Sequence, residues 1–240
     1  MKKILLIVLV VVLSLVFSNC GKSLNEQQAK EVIVNTFDDF VAQNELIPDV
    51  EKTFKEVAAN INVTELKKEG DLYIVKTQMK KGDQDVNIDM KMSYLDGAWK
   101  LTAITLPDGA SHPFQEAMEE LRVSILKGKQ KMTMGDLKNI GSAIEGYMTD
   151  MYFAPKAESI EELAPLLEPF YIKSVPRTDG FGNAFYYTAE GELYSIASSG
   201  RDGKFDGFDQ TGDYLVTSIE GFGNDIIYSD GNFVYGPKVK

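Results

Sequence analysis

Cysteine and histidine are almost missing from this chain, each occurring once, as Cys20 and His112. A single cysteine permits no intramolecular disulfide and no thiolate metal cluster, and a single histidine permits no two-histidine metal site. Any Ser-His-Asp arrangement would have to use His112, which sits beside Pro113 where a helix begins and reads as an exposed or capping residue. Basic residues are also scarce: 25 Lys and Arg stand against 36 Asp and Glu, for a formal charge of −11. So acidic a surface argues against nucleic-acid and anionic-lipid binding, because both depend on Lys and Arg neutralising phosphate. There is one tryptophan, Trp99. The one long hydrophobic run lies at the amino end.

What is present is an ordinary globular balance, with 44% hydrophobic and 25% charged residues. The 240 residues have room for one large domain or two small ones. Lys2 and Lys3 precede an unbroken apolar run at 4–13, followed by Ser14 and residues 15–17. This run is shorter than the roughly 20 residues that a membrane-spanning helix needs. It ends in Phe17-Ser18-Asn19-Cys20-Gly21, which resembles a bacterial lipoprotein signal, with Asn19 where Gly, Ala or Ser is usual. The resemblance implies cleavage after residues 1–19, a diacylglyceryl group on Cys20 and a short tether at 20–25. Two or three acyl chains make a stable anchor, at about 0.8 kcal/mol per buried methylene. The alternative is an uncleaved signal anchor. Either way the expectation is an exported protein held to a bacterial envelope membrane, facing the periplasm or the cell surface.

From residue 26 to 43 the apolar residues Ala29, Val32, Ile33, Phe37, Phe40 and Val41 recur at steps of three and four, predicting an amphipathic helix. Pro48 is expected to end or interrupt it, and a second amphipathic piece covers 50–59. The period then changes to two over 72–79, 86–94 and 99–106, with Lys81-Gly82-Asp83 and Asp96-Gly97 as hairpin turns. A helix followed by an antiparallel meander is an α+β unit, assigned here to 26–107. Its closing YLDGAWKLTAITLP is similar to the last hairpin of cystatin-like or NTF2-like domains. Such folds can carry a ligand pocket. Trp99 reads first as core, and Asp38-Asp39 as a solvated helix face.

A turn-rich break at 107–111 leads into a long helical stretch, with Pro113 at a first-turn position and Leu137, Ile140, Ile144, Tyr147 and Met151 on one face. Gly128 either divides this stretch in two or lies within one helix, since one glycine costs only about 1 kcal/mol. From 175 to 236 short aromatic and β-branched runs (184–187, 193–197, 226–228, 233–235) alternate with Gly, Asp and Asn turns, the pattern of a small antiparallel sheet.

The stretch EGYMTDMYFAP, the short helix 160–167 and YIKSVPRTDGFGNAFYY resemble the globular part of the G-type (major) pseudopilin of type II secretion. The matching residues are Tyr171, Ile172, Pro176, Asp179, Gly180, Phe181, Gly182, Asn183, Tyr187 and Tyr194, then Ser199, Gly200, Asp202, Gly203, Asp225 and Ile226. Phe181 stands where tryptophan is common in that family. The family's glycine-phenylalanine processing site and its long apolar polymerising helix have no counterpart in this sequence. The expected fold is therefore α+β throughout: a helix-plus-sheet domain at 26–107, then a pseudopilin-like domain at 111–240 built from a long helix and a small antiparallel sheet.

One loop, 199–225, gathers Asp202, Asp206, Asp209, Asp213 and Asp225, with Arg201 and Lys204 as its basic residues. The family resemblance implies calcium here, held by the side chains of Asp202 and Asp225 and the carbonyls of Ser199 and Arg201. Asp206, Asp209 or Asp213 could add carboxylates. An oxygen-only donor set suits such a hard cation. Two alternatives stay open: a soluble Gly/Asp loop with no metal, and an EF-hand-like reading of 202–213, which has Lys204 at its third position.

The leading functional expectation is a non-enzymatic, lipid-anchored envelope protein with a calcium-stabilised head. That head would bind protein partners, in type II secretion or type IV pilus-like machinery. The alternative is a small-ligand-binding lipoprotein with its pocket in the first domain. A hydrolase using the loop carboxylates has only the acidic cluster behind it.

Overall fold

The computed structural model describes residues 23–43, 48–81, 84–105 and 109–238. The signal at 1–19, the lipidation site Cys20 and the Gly82-Asp83 turn lie outside the described residues. The chain is α+β and divides into two compact units, Met1–Arg122 and Val123–Lys240.

In the first unit, helix α1 (Glu26–Gln43) covers the span its periodicity predicts. Asn25, read from sequence as tether, is its cap: Asn25 Oδ1 accepts from the Gln28 N–H at 2.8 Å, and Gln28 Oε1 accepts from the Asn25 N–H at 3.1 Å. This reciprocal pair satisfies two backbone donors that a helix start leaves open. Ala29, Ile33, Phe37, Phe40 and Val41 are its buried face. Helix α2 (Pro48–Asn60) begins at Pro48. Pro48 thus opens the second helix, because a first-turn position needs no N–H.

The strands form a five-stranded antiparallel meander in sequence order: β1 (Asn62–Glu69), β2 (Leu72–Lys81), β3 (Gln84–Leu95), β4 (Ala98–Thr105) and β5 (Ser111–Pro113). Tyr73, Val75, Met90, Met92, Leu101 and Ile104 are buried, while Lys76 and Glu65 pair across the exposed face at 2.7 Å. Asp96 and Gly97 both have positive φ, 54° and 82°, which makes the tight β3–β4 turn. Strand β1 escaped the sequence reading because NVTELKKE carries too little apolar alternation. His112 lies in β5, paired with Ile104 across the sheet, rather than at a helix start.

Helix α3 (Phe114–Met151) passes unbroken through Gly128 and contributes its first residues to one unit and the rest to the other. In the second unit it is followed by α4 (Ile160–Leu167), capped by Ser159 Oγ, which accepts from the Glu162 N–H at 3.3 Å. Strands β6 (Tyr186–Glu190), β7 (Leu193–Ser198), β8 (Gly212–Tyr214), β9 (Ile226–Ser229) and β10 (Asn232–Pro237) form a second sheet in the order β6-β7-β9-β10-β8. Its pairings are antiparallel except β10 with β8, which is parallel. Leu137, Ile140 and Ile144 of α3 pack with Leu163, Leu167, Phe185, Tyr194, Ile196, Ile226 and Tyr228 into one core. Met151, expected on the same face, is exposed, because the helix ends there. Among the described residues no helix is long and apolar enough to cross a membrane.

Candidate functional site

Strands β7 and β9 are neighbours in the sheet, with Ser198 paired to Ile226. That register brings the two ends of the acidic loop, Ser199 and Asp225, side by side although 26 positions separate them in sequence. Both are buried, at 1% and 2% exposure. The loop ends stay joined for a further step, since the Arg201 N–H donates to the Phe222 carbonyl at 2.8 Å. Gly200 makes the crossing possible. Its φ is +62°, and a Cβ there would lie 2.5 Å from the Asn224 carbonyl oxygen and 2.7 Å from that of Gly223. No other residue fits.

The turn at 179–183 braces the loop from below. Asp179 Oδ1 accepts from the N–H groups of Phe181 and Asn183, both at 2.9 Å, and its Oδ2 accepts from Ser198 Oγ at 2.5 Å. Asn183 then donates its side-chain amide to the Gly200 carbonyl at 2.7 Å. Asp179 is buried with its charge matched by three donors, the arrangement a buried carboxylate requires.

Asp225 is held differently. Its Oδ2 accepts from the Asp206 N–H at 2.9 Å and from the Gln210 side-chain amide at 2.6 Å. Its Oδ1 is buried with no hydrogen-bond partner, and so is Ser199 Oγ. Burial pushes the Asp225 carboxyl above the usual carboxylate range, opposed by those two hydrogen bonds and reinforced by the charges of Asp206 and Asp202. Asp202 is exposed and lies against Gly223, where a Cβ would be 3.4 Å from its carboxyl carbon; its Oδ1 accepts from the Lys204 N–H at 2.9 Å. Tyr214 of β8 donates its hydroxyl hydrogen to the Asp225 carbonyl at 3.2 Å.

Of the residues singled out in the sequence, Ser199, Arg201, Asp202 and Asp225 are therefore brought together by the strand pairing and the Gly200 crossing. Asp206 joins them through its backbone N–H. Asp213 does not: it is exposed in β8, opposite Gly236 of β10. This removes the EF-hand-like reading, because the last position of that twelve-residue loop points its backbone into a sheet and the segment before Asp202 is a strand. Among the described residues no group of three or more His, Cys, Asp or Glu side chains is placed to hold a metal. The donor set is thus two carboxylates with hydroxyl and backbone oxygens. It suits a hard cation, since the buried Oδ1 and Oγ have lone pairs with nothing to satisfy them and a buried orphan acceptor costs about 1–3 kcal/mol. Sequence reasoning gave no place in the loop to Gln210, Asn183 or Asp179; the Asp-Gly-Phe-Gly-Asn string signalled a turn and a family resemblance, not a brace.

Residues 122–216 match the family model described as Type II secretion system (T2SS), protein G. The carboxyl-terminal half holds a pseudopilin-like domain. The match takes in α3 from residue 122 onward, α4 and the acidic loop as far as residue 216, with Ser199, Arg201 and Asp202, and stops short of Asp225. No curated protein and no solved structure matches the chain.

Proposed function

We propose that this chain is a non-enzymatic, lipid-anchored envelope protein whose pseudopilin-like domain is a calcium-stabilised interaction module for type II secretion or type IV pilus-like machinery. The family match over 122–216 supports the secretion-related part. The lipid anchor rests on the amino-terminal signal pattern and Cys20. The observation that carries the calcium reading is the pair of buried, unpartnered oxygens, Ser199 Oγ and Asp225 Oδ1, at the closed neck of an acidic loop. Asp202 and Asp225 with the carbonyls of Ser199 and Arg201 would hold the ion. The ion would supply positive charge where Asp202, Asp206 and Asp225 otherwise repel one another.

The test is thermal denaturation of the purified protein in chelator and in millimolar calcium. A ligand bound only by the native state, at a hundred times its Kd, stabilises it by about 2.7 kcal/mol. The expected result is a clear rise in the melting temperature with calcium, abolished in Asp202→Ala. Superimposable curves would remove the calcium reading. Cys20→Ser should release the protein from the membrane fraction and end incorporation of labelled fatty acid. Affinity capture from envelope extracts should recover secretion or pilus-machine components, and recovery of none counts against the partner assignment.

A further inference from the structure

The first unit holds a cavity of about 740 Å³ between α1 and the β3–β4 end of its sheet, the size of a small organic ligand. Its two helix faces differ in kind. Ala29, Ile33, Phe37 and Val41 turn into the core, whereas the neighbouring stripe that lines the cavity alternates Gln28, Glu31, Asn35 and Asp39 with Val32, Thr36 and Phe40. A helix stripe set against a sheet for packing is apolar. A concave wall that mixes apolar side chains with a few polar groups suits an amphiphilic ligand.

The lining is ordered by chemistry. Phe40 and Phe114 are buried and supply an apolar floor. Trp99 is half-buried, meeting Tyr73 edge-on at 5.2 Å and Tyr94 at 5.3 Å, and Trp99 and Tyr94 both border the space. Glu31 and Asp39 bring two carboxylates; the Gln27 amide that donates to Glu31 at 3.0 Å leaves its charge in place. Lys100 is the basic residue of the lining, and its ammonium is held by Asp96 at 2.6 Å.

We infer that this cavity binds an amphiphilic organic cation, with the apolar body on Phe40 and Phe114 and the charged head between the Trp99 and Tyr94 rings and the Glu31 and Asp39 carboxylates. Aromatic faces attract a desolvated ammonium through their quadrupole, and each carboxylate adds Coulomb attraction that an anion would meet as repulsion. The net charge of −11 likewise favours a cationic ligand. The site is independent of the calcium reading.

Trp99 is the only tryptophan, so its emission reports this wall alone. The experiment titrates the full chain, below micellar concentration and at about 0.1 M salt, with octyltrimethylammonium, octyl glucoside and octyl sulfate. The three share one apolar chain and differ in head-group charge. The expected result is saturable change with the ammonium, at least about tenfold tighter than with the glucoside, and none with the sulfate. The double variant Glu31→Gln/Asp39→Asn should lose that tenfold preference and keep glucoside binding and its melting curve. A cation preference below tenfold, saturable sulfate binding, or a double variant that binds the ammonium as the parent does would each overturn the assignment.

Discussion

Gln210 donates its side-chain amide to Asp225 Oδ2 at 2.6 Å and leaves Oδ1 of the same carboxylate buried without a partner. Oδ2 of this carboxylate is thus held by the protein and Oδ1 is not. A buried acceptor left so costs the fold about 1–3 kcal/mol.

That cost has a sign with pH. Burial raises the folded-state value of Asp225 above its unfolded one. Its contribution therefore favours folding below the ordinary carboxylate range and is lost as pH rises through the raised value. In chelator, Asp225→Asn should melt higher than the parent at pH 7.5, and the gap should close as pH falls into the ordinary carboxylate range. The same variant should show no calcium response. Melting curves across that pH range check both outcomes.

Gly200 is bound by sterics as well as by its dihedral. Gly200→Ala places a Cβ 2.5 Å from the Asn224 carbonyl and holds a non-glycine residue at φ +62°. The expected loss is about 3 kcal/mol, combining left-handed strain with overpacking. Denaturant unfolding should show it, together with a weakened calcium response.

Three glycines of α3 differ in what surrounds them. A Cβ at Gly141 would meet Tyr228 Cε1 at 2.3 Å, whereas nothing lies within 4 Å of one at Gly128 or Gly135. Gly141→Ala should destabilise by about 1–3 kcal/mol. Gly128→Ala and Gly135→Ala should each stabilise by about 0.5–1 kcal/mol, through helix propensity alone. Thermal melts of the three variants side by side give the comparison.

Asp179 is the brace on which the loop rests. Asp179→Ala strips acceptors from two backbone N–H groups and from Ser198 Oγ, and should cost about 3 kcal/mol or more. Ser198→Ala removes one of those bonds and also the acceptor of the Gly200 N–H at 3.1 Å, and should cost about 2 kcal/mol. The ordering of the two, read from denaturant midpoints, is the expectation.

Much of the fold was open to reading because its signals are local. The three-and-four spacing around Ile33 and Phe37 marked α1 to its ends, and the alternation of Met90 and Met92 with Lys91 and Ser93 marked β3. Asp96-Gly97 announced its turn, since only certain residues accept positive φ. Strand β1 was missed because its residues are charged on both faces, and Pro48 misled because proline both stops one helix and starts the next.

By itself the sequence determined the acidic balance, the α+β order of elements, the pseudopilin-like pattern of the carboxyl half and the presence of an Asp-rich loop. Each depends on composition or on neighbours a few residues apart. Only the tertiary structure decided which aspartates meet. Strand order β7–β9 sets Ser199 beside Asp225, buries both and leaves Asp213 outside. The physical reason is range: turn and period chemistry act along the chain, whereas burial and unpaired oxygens arise from segments that meet only once the sheet has closed.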